Sequence, residues 1–315
     1  MNHITQDILG EIKKVIQGKD EVILNVLSAF LAGGHILLED LQGVGKTTLA
    51  LALSRCFGLD FCRIQLTPDT VAGDITGFTA YDSKTGKFSF HSGAAMTDLL
   101  LADELNRTSG KTQSALLEAM EEGKCTVDGV TYQLPKPFTV IATQNPKGSA
   151  GTSELPVSQL DRFMVRLSIG QPDRDSLVEI LKSRNSVKDP LDDVRQVCTK
   201  DRLLEIRREC GEIFVSQPIL DYIADLCEKS HNSERILCGI SPRGAVSLMK
   251  ISKAKAYTEG RDYVIPADVR ANFINVCAHR IILAAGISGG GHIESAADVL
   301  NGILSEVPCP ENSRG

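Results

Sequence analysis

The sequence has no tryptophan, and aromatic side chains make up only 5% of its 315 residues. It also lacks a CxxC pair and any histidine at zinc-finger spacing, although it carries nine cysteines, at 56, 62, 125, 198, 210, 227, 238, 277 and 309. An odd count without those pairings argues against a disulfide framework or a structural metal, so most of these cysteines are expected as buried or partly buried free thiols. No apolar run is long enough to cross a bilayer. The longest, Val22 to Gly33, falls short of the ~20 residues that a spanning helix needs. Residues 1–7 have neither the basic start nor the apolar core of an export signal, so a cytoplasmic location is expected. An excess of basic charge is missing too. The formal net charge of −6 gives no broad field for phosphate backbones, although a local basic patch or a positively lined pore could still bind nucleic acid. There is no internal repeat and no low-complexity block.

What is present is ordinary globular composition, 42% hydrophobic and 23% charged, in a chain long enough for two domains of about 150 residues each. From residue 35 to about 170, short apolar runs alternate with helical stretches. The runs are 35–39, 61–66, 98–103, 138–143 and 163–167, and their continuous apolar character suits parallel strands buried on both faces. Between them, Lys111 to Glu121 sets Ala115, Leu116, Ala119 and Met120 on one helical face. Segments 81–88 and 125–132 place Lys-Thr-Gly and Asp-Gly between β-formers and read as hairpins. After Gly170 the pattern becomes helical without clear strands: roughly 172–184, 201–213, 217–230, 242–259 and 266–284. Ser241-Pro242 makes a good start for the fourth of these helices and Gly260 a stop. The expectation is therefore an α/β domain over 1–170 and a helical domain over 171–315. Ser288 to Gly291 is expected as a flexible joint, and Pro308 to Gly315 as a frayed end.

Asp40-Leu41-Gln42-Gly43-Val44-Gly45-Lys46-Thr47-Thr48 follows one such strand and opens a helical run from Leu49 to Cys56. A phosphate-binding loop needs small residues whose backbone N–H groups close around a phosphate, a lysine to reach the β- and γ-oxygens, and a hydroxyl for Mg²⁺. Gly43, Gly45, Lys46 and Thr47 supply these parts, with Val44 and Thr48 completing the cradle. The usual pattern begins with glycine where Asp40 stands. A carboxylate pointing into the loop would repel phosphate, so that of Asp40 is expected to face away. A second constellation lies at the end of the strand Leu99 to Ala102, where Asp103 and Glu104 place two carboxylates at the C-terminal edge at which α/β sheets bind ligands. One can support Mg²⁺ while the next polarises an attacking water. Taken alone, such a pair is ordinarily a solvated strand end.

Several segments resemble those of the MoxR family of AAA+ ATPases. They are Leu100 to Arg107, Lys111 to Met120, Ala142-Thr143-Gln144-Asn145-Pro146 and Gln159 to Phe163, together with Arg63-Ile64-Gln65, Thr67-Pro68-Asp69, Asp74 to Gly77, Ser241-Pro242-Arg243 and His279-Arg280. The likeness covers about residues 10 to 308. It implies an AAA+ P-loop core, a parallel sheet covered by helices, followed by a smaller all-helical lid domain, and a Mg²⁺-dependent ATPase assembled as a homo-hexameric ring. On that resemblance Asn145 is the sensor 1 residue that orients water, Arg162 is the arginine finger offered to a neighbouring subunit, and Arg243 is sensor 2, reporting the γ-phosphate to the lid. Gln17 and Gly18 fall where the family contacts adenine, though a helix-ending glycine explains them nearly as well. The two hairpins resemble inserts that project toward the pore. The resemblance implies chaperone-like remodelling or maturation of protein complexes, beside a partner with a von Willebrand factor A domain. Asp40 and Gln42 stand where many loops of this type carry glycine and proline, and Ser153-Glu154 interrupts the stretch before Leu155.

A nucleic-acid motor, helicase-like, is the competing class. It needs basic hairpin tips, and the first hairpin does carry Lys84 and Lys87. The second, around Asp128-Gly129, is not basic, and the overall charge is negative, so a protein client is preferred to nucleic acid. A GTP switch ranks last, because no Asn/Thr-Lys-x-Asp segment is present to read guanine.

Overall fold

The computed structural model describes the chain except residues 85, 147–153, 186–188, 285–287, 290, 291, 294 and 312–315. The joint expected at 288–291, Ser153, and the tail beyond 311 therefore lie partly or wholly outside the described residues. The chain opens with α1 (His3–Lys13) and α2 (Asp20–Leu31), then alternates β1 (Ile36–Glu39), α3 (Lys46–Phe57), β2 (Phe61–Gln65) and the short α4 (Ala72–Thr76). A hairpin of β3 (Phe78–Asp82) and β4 (Lys87–His91) precedes β5 (Leu99–Asp103) and α5 (Gly110–Glu122). A second hairpin, β6 (Lys124–Val127) and β7 (Val130–Gln133), leads into β8 (Thr139–Gln144), α6 (Val157–Leu160) and β9 (Val165–Leu167). Beyond lie α7 (Arg174–Arg184), α8 (Lys200–Glu212), α9 (Gln217–His231), β10 (Ile236–Cys238), α10 (Pro242–Thr258), α11 (Pro266–Cys277), β11 (Ile282–Leu283) and α12 (Ala296–Glu306).

Five strands form one parallel sheet in the order β2-β5-β8-β1-β9. Their side chains divide between two cores with the period of two that a strand imposes. Ile36, Leu38, Leu99, Leu101 and Ile141 face the core shared with α1, α2, α3 and the C-terminal helices. Leu37, Leu100, Ala102, Val140 and Ala142 face the other, under α5 and α4. Continuous apolar runs were the sequence signature of this double burial, and the five strands occupy the expected segments. The strand order has a chemical consequence: β5, β8 and β1 are adjacent, so the loops that leave their C-terminal ends meet.

Both hairpins form. Asp128 and Gly129 take positive φ of 49° and 81°, as a two-residue hairpin turn requires. The hairpins touch through stacked Phe90 and Tyr132, whose ring centroids lie 3.8 Å apart, while Phe78, Tyr81 and Phe88 are exposed.

The C-terminal part is helical, with two corrections. In the joint expected at 288–291, Ser288–Gly289 pairs antiparallel with His292–Ile293. The helix expected over 266–284 ends at Cys277, and β11 pairs antiparallel with β10, so a short ribbon stands where no strand was read. The cause is tertiary. His279 and Arg280 turn inward at the end of α11 and hydrogen-bond the backbone of Phe163, which stops a helix that the apolar Ile281-Ile282-Leu283 would locally have continued. Among the described residues no helix is long and apolar enough to cross a membrane. All nine cysteines are free thiols, and only Cys238 and Cys309 are exposed.

Candidate functional site

The loop after β1 carries Asp40 in a buried position with its carboxylate turned away from the rest of the loop. It accepts from Ser168 Oγ at 2.7 Å, Ile169 N at 2.7 Å and Gly170 N at 3.1 Å, and so ties the start of the loop to the exit of β9. Gly45 takes φ +96°, a conformation a side chain would strain, and caps α3 without any side-chain hydrogen bond. The first amides of α3 thus have no capping side chain to occupy them. Lys46 follows, with Nζ donating to the carbonyl oxygens of Asp40 at 2.6 Å and Leu41 at 3.1 Å. Burial pushes the Lys46 pKa down, against the pull of Asp40, Asp103 and Glu104.

At the end of β5, Asp103 pairs with Arg63 at 2.7 Å and accepts from Thr143 Oγ1 at 2.6 Å. Glu104 lies just beyond, in left-handed backbone with φ 60°. That conformation costs a non-glycine residue about 1–2 kcal/mol, and its N–H is held by Thr143 Oγ1 at 2.9 Å. The Glu104 carboxylate is nearly buried and saturated with donors. Oε1 accepts from Gln42 at 2.6 Å and Asn145 at 3.5 Å; Oε2 accepts from Gln65 and Arg107, both at 2.8 Å. Burial pushes its pKa up, but the hydrogen bonds from Arg107, Gln42 and Asn145 outweigh it and hold the carboxyl below the usual range. Asn145, at the exit of β8, is itself fixed by Asn106, whose side chain exchanges hydrogen bonds with its backbone at 3.2 and 3.4 Å.

Of these groups Gln42, Gly45, Lys46, Arg63, Gln65, Asp103, Glu104 and Asn145, with Gly43, Thr47 and Thr48, line a cleft of about 570 Å³. Its chemistry suits a nucleotide with a hard divalent cation. Open helix amides and a lysine face oxygen donors on Thr47, Asp103 and Glu104, and a Cβ built on Gly43 would meet nothing within 4 Å.

The remaining candidates lie elsewhere. Gln17 and Gly18 are not among the cleft-lining residues, although their neighbour Ile16 reaches the loop, where a Cβ on Gly45 would come within 3.3 Å of Ile16 Cδ1. Gly18 has φ +67°, and a Cβ there would fall 2.0 Å from Ser176 Oγ, so glycine lets α7 dock against the residues before α2. Arg162 and Arg243 are together, both paired with Glu121. They sit at the opposite end of the strands from Lys46: Met120, next to Glu121, bonds through its carbonyl to His35 just before β1, and Arg162 just precedes β9, whereas Lys46 follows β1. Sequence reasoning did not single out Gln42, Thr143, Asn106, Arg107 or Arg280 as functional partners. Arg63 and Gln65 were noted only within a segment that resembles the family; the pairing of β2 with β5 sets them beside Asp103.

A family model described as the ATPase family associated with various cellular activities (AAA) matches residues 35–165, and one for the AAA lid domain matches residues 228–302. The chain is 42% identical over 299 residues to the uncharacterized protein YeaC of Bacillus subtilis, covering 95% of this chain and 92% of that protein. It is 33% identical over 324 residues to Chaperone MoxR1 of Mycobacterium tuberculosis, covering 98% and 83%. The chain belongs to the MoxR family of AAA+ ATPases. Its MoxR-family fold also superimposes on a crystal structure from Cytophaga hutchinsonii with a TM-score of 0.89 at 34% identity, over 98% of this chain and 95% of that one.

Proposed function

We propose that this MoxR-family chain hydrolyses ATP with Mg²⁺, residues 1–170 binding the nucleotide and residues 171–315 forming the lid. The observation that carries the reading is the convergence of Lys46, Asp103, Glu104 and Asn145 at the ends of three adjacent strands. Lys46 and the amides of Gly43, Val44, Gly45, Thr47 and Thr48 hold the phosphates, and Gln17 and Gly18 approach the adenine. Thr47 and Asp103 would hold Mg²⁺, which when bound supplies neutralisation of the phosphate oxygens. Glu104, kept ionised by its donors, accepts a proton from the attacking water, and Asn145 orients that water. Catalysis is then mostly positioning and charge stabilisation.

Arg162 and Arg243 are not among the residues that line this chain's own Lys46 cleft and pair instead with Glu121, which supports a ring, a hexamer by family likeness, in which both reach the nucleotide of the next copy. Within the cell we place this ring in the cytoplasm, acting on protein clients by remodelling or maturing their complexes, with a von Willebrand factor A domain protein as one candidate partner. The acidic net charge and the absence of a cation at Asp128-Gly129 support protein over nucleic acid.

The test is mixing. Lys46→Ala loses tight ATP binding and Arg162→Ala retains it; each alone is inactive, and mixed assemblies of the two recover turnover. An arginine supplied in trans contributes about 10³–10⁵ in rate. No recovery at any ratio, with mixed assemblies confirmed, contradicts the trans site.

A further inference from the structure

Glu121, in the last turn of α5, receives two guanidiniums from separate elements. Arg162, between α6 and β9, donates from Nε to Oε2 at 2.8 Å, and Arg243, in the first turn of α10, donates from NH2 to Oε1. Each carboxylate oxygen therefore holds one arginine, and the carboxylate fixes the separation between them. The three side chains are 36%, 30% and 44% exposed in the order Glu121, Arg162, Arg243, and the other N–H donors of both arginines have no partner among the described residues. The hydrogen bond from Arg162 is the main cause that holds the Glu121 carboxyl below its usual range; burial opposes it, and the hydrogen bond from Arg243 adds to the lowering. Two cations and one anion leave a net charge of +1 at a solvent-facing surface.

Arg243 is also fixed from behind. The α10 N-terminus is capped by Ser241, whose hydroxyl hydrogen-bonds Asp161 at 3.0 Å, and Asp161 is in turn held by buried Arg280 at 2.7 Å. The lid helix and the residue before Arg162 thus share one anchor, and Glu121 joins the two arginine tips beyond it.

We propose that Glu121 is a positioning residue that binds Arg162 and Arg243 into one two-pronged cationic site for the phosphates of a nucleotide held by an adjacent copy of the chain. The inference rests on the trans reading of Arg162 given above. Without Glu121 the guanidiniums repel each other and separate, and the incoming phosphates have to order both. A glutamine replacement keeps the shape and one acceptor but turns an N–H toward the second arginine and removes the shared negative charge.

Steady-state ATPase assays on the full-length assembly test this. Glu121→Gln lowers kcat roughly tenfold with the ATP KM within about twofold of wild type, because Lys46 and the loop that binds ATP lie at the other end of the strands from Glu121. Glu121→Asp recovers part of kcat. In an Arg243→Ala background, Glu121→Gln costs a further factor of less than about three, since the two residues act as a unit. A merely structural role would lower the melting temperature and leave this coupling absent. Wild-type kcat in Glu121→Gln and Glu121→Ala, or the full tenfold loss repeated in the Arg243→Ala background, overturns the proposal. Full activity in Arg162→Ala would overturn the trans reading beneath it, whereas an inactive Arg162→Ala beside a fully active Glu121→Gln removes only the role of Glu121.

Discussion

At Glu104 a single carboxylate accepts from Gln42, Asn145, Gln65 and Arg107, and its N–H is held by Thr143. Thr143 is the hinge of this arrangement, because the same hydroxyl donates to Asp103. Thr143→Val removes both bonds and leaves the buried Glu104 N–H unpaired. It should cost about 1–3 kcal/mol in denaturant unfolding and most of the turnover, while Thr143→Ser retains the hydroxyl and most of both. Similar unfolding midpoints and rates for Val and wild type would show that Glu104 is oriented otherwise. The motif residues here were legible because phosphate chemistry restricts them to few types at fixed spacing. Their supports were not, because Gln42, Thr143 and Asn106 are ordinary polar residues whose meaning comes only from strand order. The orientation of Asp40 was legible for a different reason: a carboxylate aimed at phosphate is electrostatically excluded.

Among the elements, the five strands could be read because burial on both faces leaves a continuous apolar run, and the second hairpin because Asp-Gly takes the positive φ its turn demands. The end of α11 could not be read from local pattern, because it is decided by Arg280. This buried guanidinium donates to Asp161 Oδ1 at 2.7 Å, to Phe163 O at 2.7 Å and to Met164 O at 3.1 Å, and binds α10 and α11 to the segment entering β9. Arg280→Met keeps much of the volume but strips Asp161 of its buried partner. The expected loss is on the order of 3–5 kcal/mol, with faster amide exchange in α10, α11 and 161–164. Exchange confined to the substituted residue would mean that the lid is held by apolar packing alone.

For the molecule as a whole, the sheet and the lid helices share one continuous apolar core, so events at the strand ends bear on global stability. His35 sits where β1 begins, with Nδ1 accepting from Val140 N at 3.0 Å and Nε2 against Met120 O at 3.1 Å. Burial pushes its pKa down from 6.5 to about 4, and burial lowers that of His279 as well. A folded pKa below the unfolded one means that the unfolded chain binds the extra proton first. The stabilisation is therefore complete above pH 6.5 and is lost as the pH falls toward 4. The unfolding midpoint should drop steadily through that window, and His35→Gln, which preserves a donor and an acceptor, should flatten part of the slope; a midpoint constant across the window would contradict the neutral buried histidine. The central claim is that this fold hydrolyses ATP through Glu104. It is tested most directly by measuring ATP binding and phosphate release in parallel for wild type and Glu104→Gln with Mg²⁺ present. The account predicts retained binding and turnover reduced about 10²–10⁴-fold, whereas equal turnover in the two proteins would contradict it.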